Sequence, residues 1–204
     1  MHSVRLVSFV FGVWLSGGLF MAWVATQNFR GVDRILEQAH PAARLDLHTL
    51  DDSNNGGPGA TRLLLRYQVS EQNRFYFESW ELVQLVLGTL LFFFLLFGTR
   101  EDKWVLAGVL LMLVVTALQR FLLTPEITVL GRSLDFVPPN VNAAERSRFW
   151  LMHNVYSGLE VAKWAILVML TGRLVAGRHR GRSSKTVRKQ LDLIDKANHR
   201  HVDG

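Results

Sequence analysis

Three runs of this chain contain no charged residue: Leu6 to Phe29, Leu82 to Thr99 and Trp104 to Gln119. Each comes close to the roughly 20 residues needed to cross about 30 Å of hydrocarbon as an α-helix. Buried helices of a soluble protein can be equally apolar, but they confine those residues to a stripe. "LGTLLFFFLLFG" (87 to 98) is apolar on every side, which favours lipid. A fourth stretch, "RFWLMHNVYSGLEVAKWAILVMLTG" (148 to 172), is long enough to span, yet it carries His153, Glu160 and Lys163. The pattern predicts an all-α, polytopic integral membrane protein with four transmembrane helices in one bundle, at about 6–26, 78–98, 104–123 and 149–172. The first run exceeds the apolar core of a signal peptide, about 7 to 15 residues, and a cut after Ala25 would leave Trp23 where a small residue belongs. It is read as a retained helix. The spans form one unit, 1–176, with outer loops 27–77 and 124–148, and a tail follows at 177–204.

The loops have patterns of their own. "NFRGVDRILEQA" places Phe29, Val32, Leu36 and Ala39 on one face, so the first helix is expected to continue past the bilayer. "DDSNNGGPGA" is rich in turn formers and predicts a flexible break. From Thr61 there is no Gly or Pro until Gly88, so the second helix should begin well outside the membrane. A strand at "RLLLRYQV" is the weaker alternative. In "LTPEI", Thr124 reads as a helix cap, with Pro125 and Glu126 opening a short surface helix. "VPPN" should break it, and "NAAE" resembles a capping box with Asn142 as cap and Glu145 three residues on. A fourth helix from there to about Ala176 would be about 50 Å long and would project past the outer surface. Ser8, Gly12 and Ser16 recur at every fourth position, the spacing of a close-packing face, expected within one chain before between copies.

The polar residues of the spans are the candidate chemistry. At about 100° per residue, His153, Tyr156, Glu160 and Lys163 fall within an arc of roughly 80°. With Phe149 and Trp150 as an outer aromatic belt, Glu160 lies roughly 16 Å deep. Two central charges cost about 5 to 7 kcal/mol on the insertion scale, and the helix's aliphatic and Phe residues return about 3 to 5. The polar face must therefore meet other helices or water. Partners are available in the same half: Arg74, Glu78 and Glu81 share a face of the second helix, with Gln84 a turn deeper. Thr116, Gln119 and Arg120 end the third, and Gln27 and Asn28 close the first. Opposite charges from several helices at one depth can neutralise one another. The plainer reading is a polar zipper that fixes helix register, with Glu160 and Lys163 paired. The sharper one is an outward-facing cavity in which Glu160 loads and releases a proton.

Other chemistry finds little support. There is no cysteine, hence no disulfide, thiolate nucleophile or Cys-type metal site. A metal held by Glu78, Glu81 and His153 lacks any spacing that fixes ligand geometry. His153 is the lone histidine of the spans, too few for two haem ligands, and no nucleophile elbow or phosphate loop is present. Neither cofactor nor metal is expected.

Charge sets the orientation. Residues 173 to 204 hold nine Lys or Arg against three Asp, while the preceding 172 residues hold 14 of each sign, so the whole net charge of +6 sits in the tail. A basic segment directly after a membrane helix marks the cytoplasmic side, and an even number of spans puts the N-terminus there too. Val187, Leu191, Ile194 and Ala197 share one face, suiting a helix on anionic lipid head groups or a solvated tail. With no aromatic residue interleaved to stack on bases, nucleic acid is not expected as a partner.

"GGLFMAWVATQNF", "QRFLLTPEI" after the third span and "RFWLMHNVYS" opening the fourth resemble uncharacterised four-span bacterial membrane proteins related to the transmembrane-protein-205-like domain of unknown function. The resemblance covers the spans and not the tail, and its residues here would be Pro125, Phe149 and His153. The extended first outer loop and the set Glu78, Glu81 and Glu160 depart from that pattern. The resemblance implies the architecture and a bacterial inner membrane, and it assigns no reaction. Two functions are open: a non-enzymatic membrane module that packs with or stabilises a partner (a second copy included), or a small transporter or proton-coupled protein.

Overall fold

The computed structural model describes residues 2–38, 40–53, 59–98, 103–137 and 141–199. The described elements are all helical: α1 (His2–Gln38), α2 (Pro41–Ser53), α3 (Ala60–Gly98), α4 (Lys103–Leu118), a π-helical turn (Gln119–Leu123), α5 (Thr124–Leu134) and α6 (Ala143–His199). Three stretches, Arg5–Gln38, Ala60–Phe97 and Lys103–Leu134, are long and apolar enough to cross a membrane. That is consistent with a multi-pass membrane protein. The expected fourth span lies within α6, which is not among the three and carries Glu160 and Lys163 at the middle of its apolar run.

The helices pack side by side, α1 against α3 and α6, and α4 against α3 and α6. In one half, where α1 begins and α3 ends, the interior is wholly apolar. Val7, Phe11 and Trp14 of α1 meet Leu91 and Leu95 of α3, Val105, Val109 and Met112 of α4, and Leu167, Leu170 and Leu174 of α6. The outward positions of that half are apolar as well, Phe97 being 80% exposed and Leu90 64%. A soluble protein avoids a continuous apolar exterior of this kind, and hydrocarbon tolerates it.

Several expectations need correction. In the first outer loop α1 runs on to Gln38 and α3 starts early, at Ala60, as the pattern predicts, but α2, which it did not suggest, lies between them. The helix reading of "RLLLRYQV" holds over the strand. Residues 54–58 of "DDSNNGGPGA" and the prolines of "VPPN" lie outside the described residues. Nor does the fourth helix stop near Ala176. Its 57 residues continue unbroken to His199, about 85 Å at the helical rise. Asn142 does precede α6, but in a left-handed conformation (φ 56°), and its amide donates to the Glu145 carboxylate at 3.3 Å instead of capping a backbone N–H.

The small-residue stripe is not a packing face within this chain. A side chain at Gly12 would meet nothing within 4 Å, and the Ser16 hydroxyl bonds back to the Gly12 carbonyl at 2.8 Å. Val7, Phe11 and Trp14 take the inward face and turn the stripe outward. Close packing occurs instead at Gly17 and Gly18. A Cβ on Gly17 would lie 2.2 Å from the Trp80 ring of α3, and one on Gly18 would lie 2.6 Å from Nε1 of Trp164 on α6. Two adjacent glycines thus receive two indoles from different helices.

Candidate functional site

Polar side chains fill the other half of the interior, and the π-helical turn brings several of them together. After α4 the chain does not break at Thr124. The Thr124 N–H donates to the Gln119 carbonyl, an i to i−5 bond, and the helix continues into α5. Because the helix runs on through this point there is no open N-terminus for Thr124 to cap; its hydroxyl donates to Oε1 of Glu81 on α3 at 2.5 Å. The wider turn puts Gln119 and Thr124 on the same, inner side, where Arg120 joins them. Nor is α5 a surface helix: Thr124, Thr128, Leu130, Gly131 and Leu134 are buried, largely against α6.

Lys163 is at the centre of the network and is completely buried. Its ammonium group lies 2.7 Å from Glu160 Oε1, 2.6 Å from Gln84 Oε1 and 3.4 Å from Thr116 Oγ1. Three donors meet three acceptors, so the cation is fully partnered. Gln119 Nε2 donates to the same Glu160 oxygen at 3.2 Å and to the Tyr156 carbonyl at 3.3 Å. These two contacts, with Lys163, join α3, α4, the π-turn and α6 through buried polar atoms. Among the described residues, Gln84 Nε2 and Gln119 Oε1 keep no hydrogen-bond partner.

A second group lies beside the first. Glu81 is fully buried, and beyond its Thr124 bond its other oxygen is 3.8 Å from Arg120 Nη1. Arg120 donates to the Glu78 carbonyl at 3.3 Å, with the half-exposed Glu78 carboxylate 3.9 Å away. Tyr156 is buried next to Glu81.

Two candidates lie elsewhere. Arg74 turns away from Glu78 and Glu81 and pairs with Glu71 at 2.5 Å and Asp135 at 2.9 Å. Arg132 closes this outer clasp by binding both Glu71 oxygens, at 2.9 and 2.8 Å. Glu71 precedes the apolar run of α3 by about three turns. The Arg132 hydrogen bonds, helped by Arg74 and opposed by partial burial, hold its carboxyl down at about 2. His153 stacks on Phe149 and meets Trp150 edge-on, with ring centroids 6.0 and 5.7 Å apart, and makes no polar contact to the network among the described residues. Among the described residues no three His, Asp or Glu are grouped to hold a metal ion.

His153, Tyr156 and Glu160 instead line a cavity of about 420 Å³ between α1, α3, α5 and α6. Its walls include Phe77, Trp80, Phe149 and Trp164, and Asn73 and Arg74 stand at the end away from the apolar core. Asn73 is fixed by an amide bond from Asn28 at 2.8 Å, which ties α1 to α3. Glu160 thus has two roles: its Oε1 belongs to the Lys163 network, and the residue also lines the cavity, with no hydrogen bond to Oε2 among the described residues.

Sequence periodicity placed Glu160, Lys163, Gln84, Gln119 and Glu81 in one half, and the structure brings them together. It missed Thr124, which read as the cap of a separate helix, because nothing along the chain marks the π-turn that carries the helix through that position. It also missed the indoles and the glycines that seat them, whose pairing between helices leaves no trace along one chain. No family model, curated protein or solved structure matches this chain.

Proposed function

We propose that this is a four-span inner-membrane protein with both termini cytoplasmic, and that its bundle works as a non-enzymatic binding module. In this reading the buried charge network fixes the helices, and the cavity they leave receives a membrane-borne guest. The observation that carries it is how the polar interior ends. Below Lys163 and Thr116 the core consists of tightly packed apolar side chains, with Val105, Val109, Met112 and Leu167 wholly buried. A cavity closed at one end suits holding a guest better than passing it across. The resemblance to the four-span bacterial group, through Pro125, Phe149 and His153, is compatible with this reading and adds no chemistry.

The test is extraction in mild detergent followed by mass spectrometry of bound small molecules and lipids, comparing wild type with Ala22→Trp. Ala22 lines the cavity from α1 and is exposed, so an indole there should obstruct it without disturbing the core. Guests bound by wild type and absent from the variant would support the module. Identical profiles would oppose it.

A second reading, proton coupling, is favoured by the free oxygen of Glu160 alone. In proteoliposomes it predicts proton flux that Glu160→Gln abolishes, whereas the binding module predicts none in either protein.

A further inference from the structure

We infer that the cavity takes a lipophilic cation: a molecule with an apolar body and one ammonium-type charge, seated against Oε2 of Glu160. This rests on the binding-module reading and specifies the guest. The volume of about 420 Å³ lies in the range of roughly 300 to 1,000 Å³ typical of small-molecule sites. Its wall is chiefly apolar and includes the rings of Phe77, Trp80, Phe149, Tyr156 and Trp164, and aromatic faces attract cations through their quadrupoles.

The carboxylate supplies the specific contact. Lys163 spends its three donors on Glu160 Oε1, Gln84 and Thr116 and, wholly buried, is not part of the cavity wall. Arg74, the cation that does line the cavity, is matched by both Glu71 and Asp135. Around the cavity Arg74 and Arg132 are matched by Glu71 and Asp135, and Lys163 by Glu160; the extra carboxylate of the set stands with Arg120, between Glu78 and Glu81, neither of which lines the cavity. The cavity wall therefore holds a partly exposed carboxylate and, among the described residues, no unpaired Lys or Arg, which favours a guest of positive charge. A carboxylate guest would meet Glu160 with no cation to receive it.

The route in is sideways. At the level of Gly18 and Trp164, α1 and α6 touch. Beyond that contact small residues of both helices are among those lining the cavity, Ala22 and Ala25 of α1 and Ser157 of α6, and Ala22 and Ser157 are exposed. A guest dissolved in the membrane can therefore enter between the two helices charge first and leave its apolar body near lipid.

The experiment uses the full chain in nanodiscs of zwitterionic phospholipid, with tryptophan fluorescence as readout. Three probes share a dodecyl chain and differ in head group: trimethylammonium, hydroxyl and carboxylate. Binding is taken as the part of the signal that Ala22→Trp removes, which separates it from partition into lipid. The expected result is about tenfold to a hundredfold tighter binding of the trimethylammonium probe, the range for loss of one charged contact. Glu160→Gln should erase that preference and leave hydroxyl binding in place. If Glu160→Gln does not fold, Glu160→Asp, which keeps a charge near Lys163 but retracts it from the cavity, should reduce the preference. Equal binding of the three probes would overturn the cation and leave the binding module standing. No binding sensitive to Ala22→Trp, for any probe, would overturn both.

Discussion

Lys163 and Glu160 form an ion pair whose members are not equally dependent on it. Lys163 is shut off completely, while the Glu160 side chain keeps 12% of its surface, on the cavity side. Breaking a buried pair by removing one partner costs about 3 to 5 kcal/mol, because the remaining charge is stranded. Here the stranding differs. Glu160→Leu leaves an ammonium with only neutral acceptors, whereas Lys163→Leu leaves a carboxylate that water in the cavity can reach. The expected order of thermal stability in detergent is wild type, then Lys163→Leu, then Glu160→Leu. The double variant should lose less than the two single losses added together, by at least about 1 kcal/mol. Simple additivity would mean that the two side chains act independently. The spacing of three residues on one helical face made the pair legible in the sequence. Its asymmetry was not, because that depends on which neighbour covers which oxygen.

Among the elements, α1 offers a matched comparison. Gly17→Ala drives a methyl group into the Trp80 ring and should lower stability by about 1 to 3 kcal/mol, the cost of overpacking. Gly12→Ala meets open space on the same helix and should be neutral or stabilising by up to about 1 kcal/mol, since Ala loses less backbone entropy. Thermal unfolding of the two variants side by side checks this, and equal effects would refute the packing assignment. Sequence spacing pointed to the wrong small residues because it measures repetition along one helix and is blind to where a neighbour's tryptophan lies. The clasp from α3 to α5 makes a different prediction. Glu71 titrates at about 2 when folded against an ordinary 4.5, so its contribution is fully present above about pH 4.5 and is lost as pH falls through about 2. Hydrogen exchange at the end of α5 should accelerate across that interval, and Glu71→Gln should remove the dependence.

At the level of the whole molecule, the helical class and the long apolar runs followed directly from hydropathy, which needs no tertiary information. The contents of the loops did not, because the placing of α2 and of the outer turns of α3 depends on contacts between helices, such as Arg62 of α3 with Asp33 of α1, at 2.8 Å. Orientation rests on the tail's charge and can be tested without reference to function. A cysteine replacing Glu37, exposed at the end of α1, should react with an impermeant reagent added outside intact cells. One replacing Ser183 should react only after permeabilisation. The opposite pattern would invert the topology and turn the cavity towards the cytoplasm.

A π-turn contains one residue more than the α-turn it replaces, so it is what a single-residue insertion leaves inside a continuous helix. Everything after Leu123 is consequently rotated by about 100° relative to an uninterrupted α4. Thr124 reaches Glu81 only because of that rotation. Divergent descendants of a common ancestor could gain or lose the insertion in one genetic event, and such an event would orphan the carboxylate at position 81. A homologue one residue shorter between positions 119 and 123 is therefore expected to carry an uncharged residue in place of Glu81. An ungapped alignment of the two would hide the link by pairing residues from opposite faces of the helix.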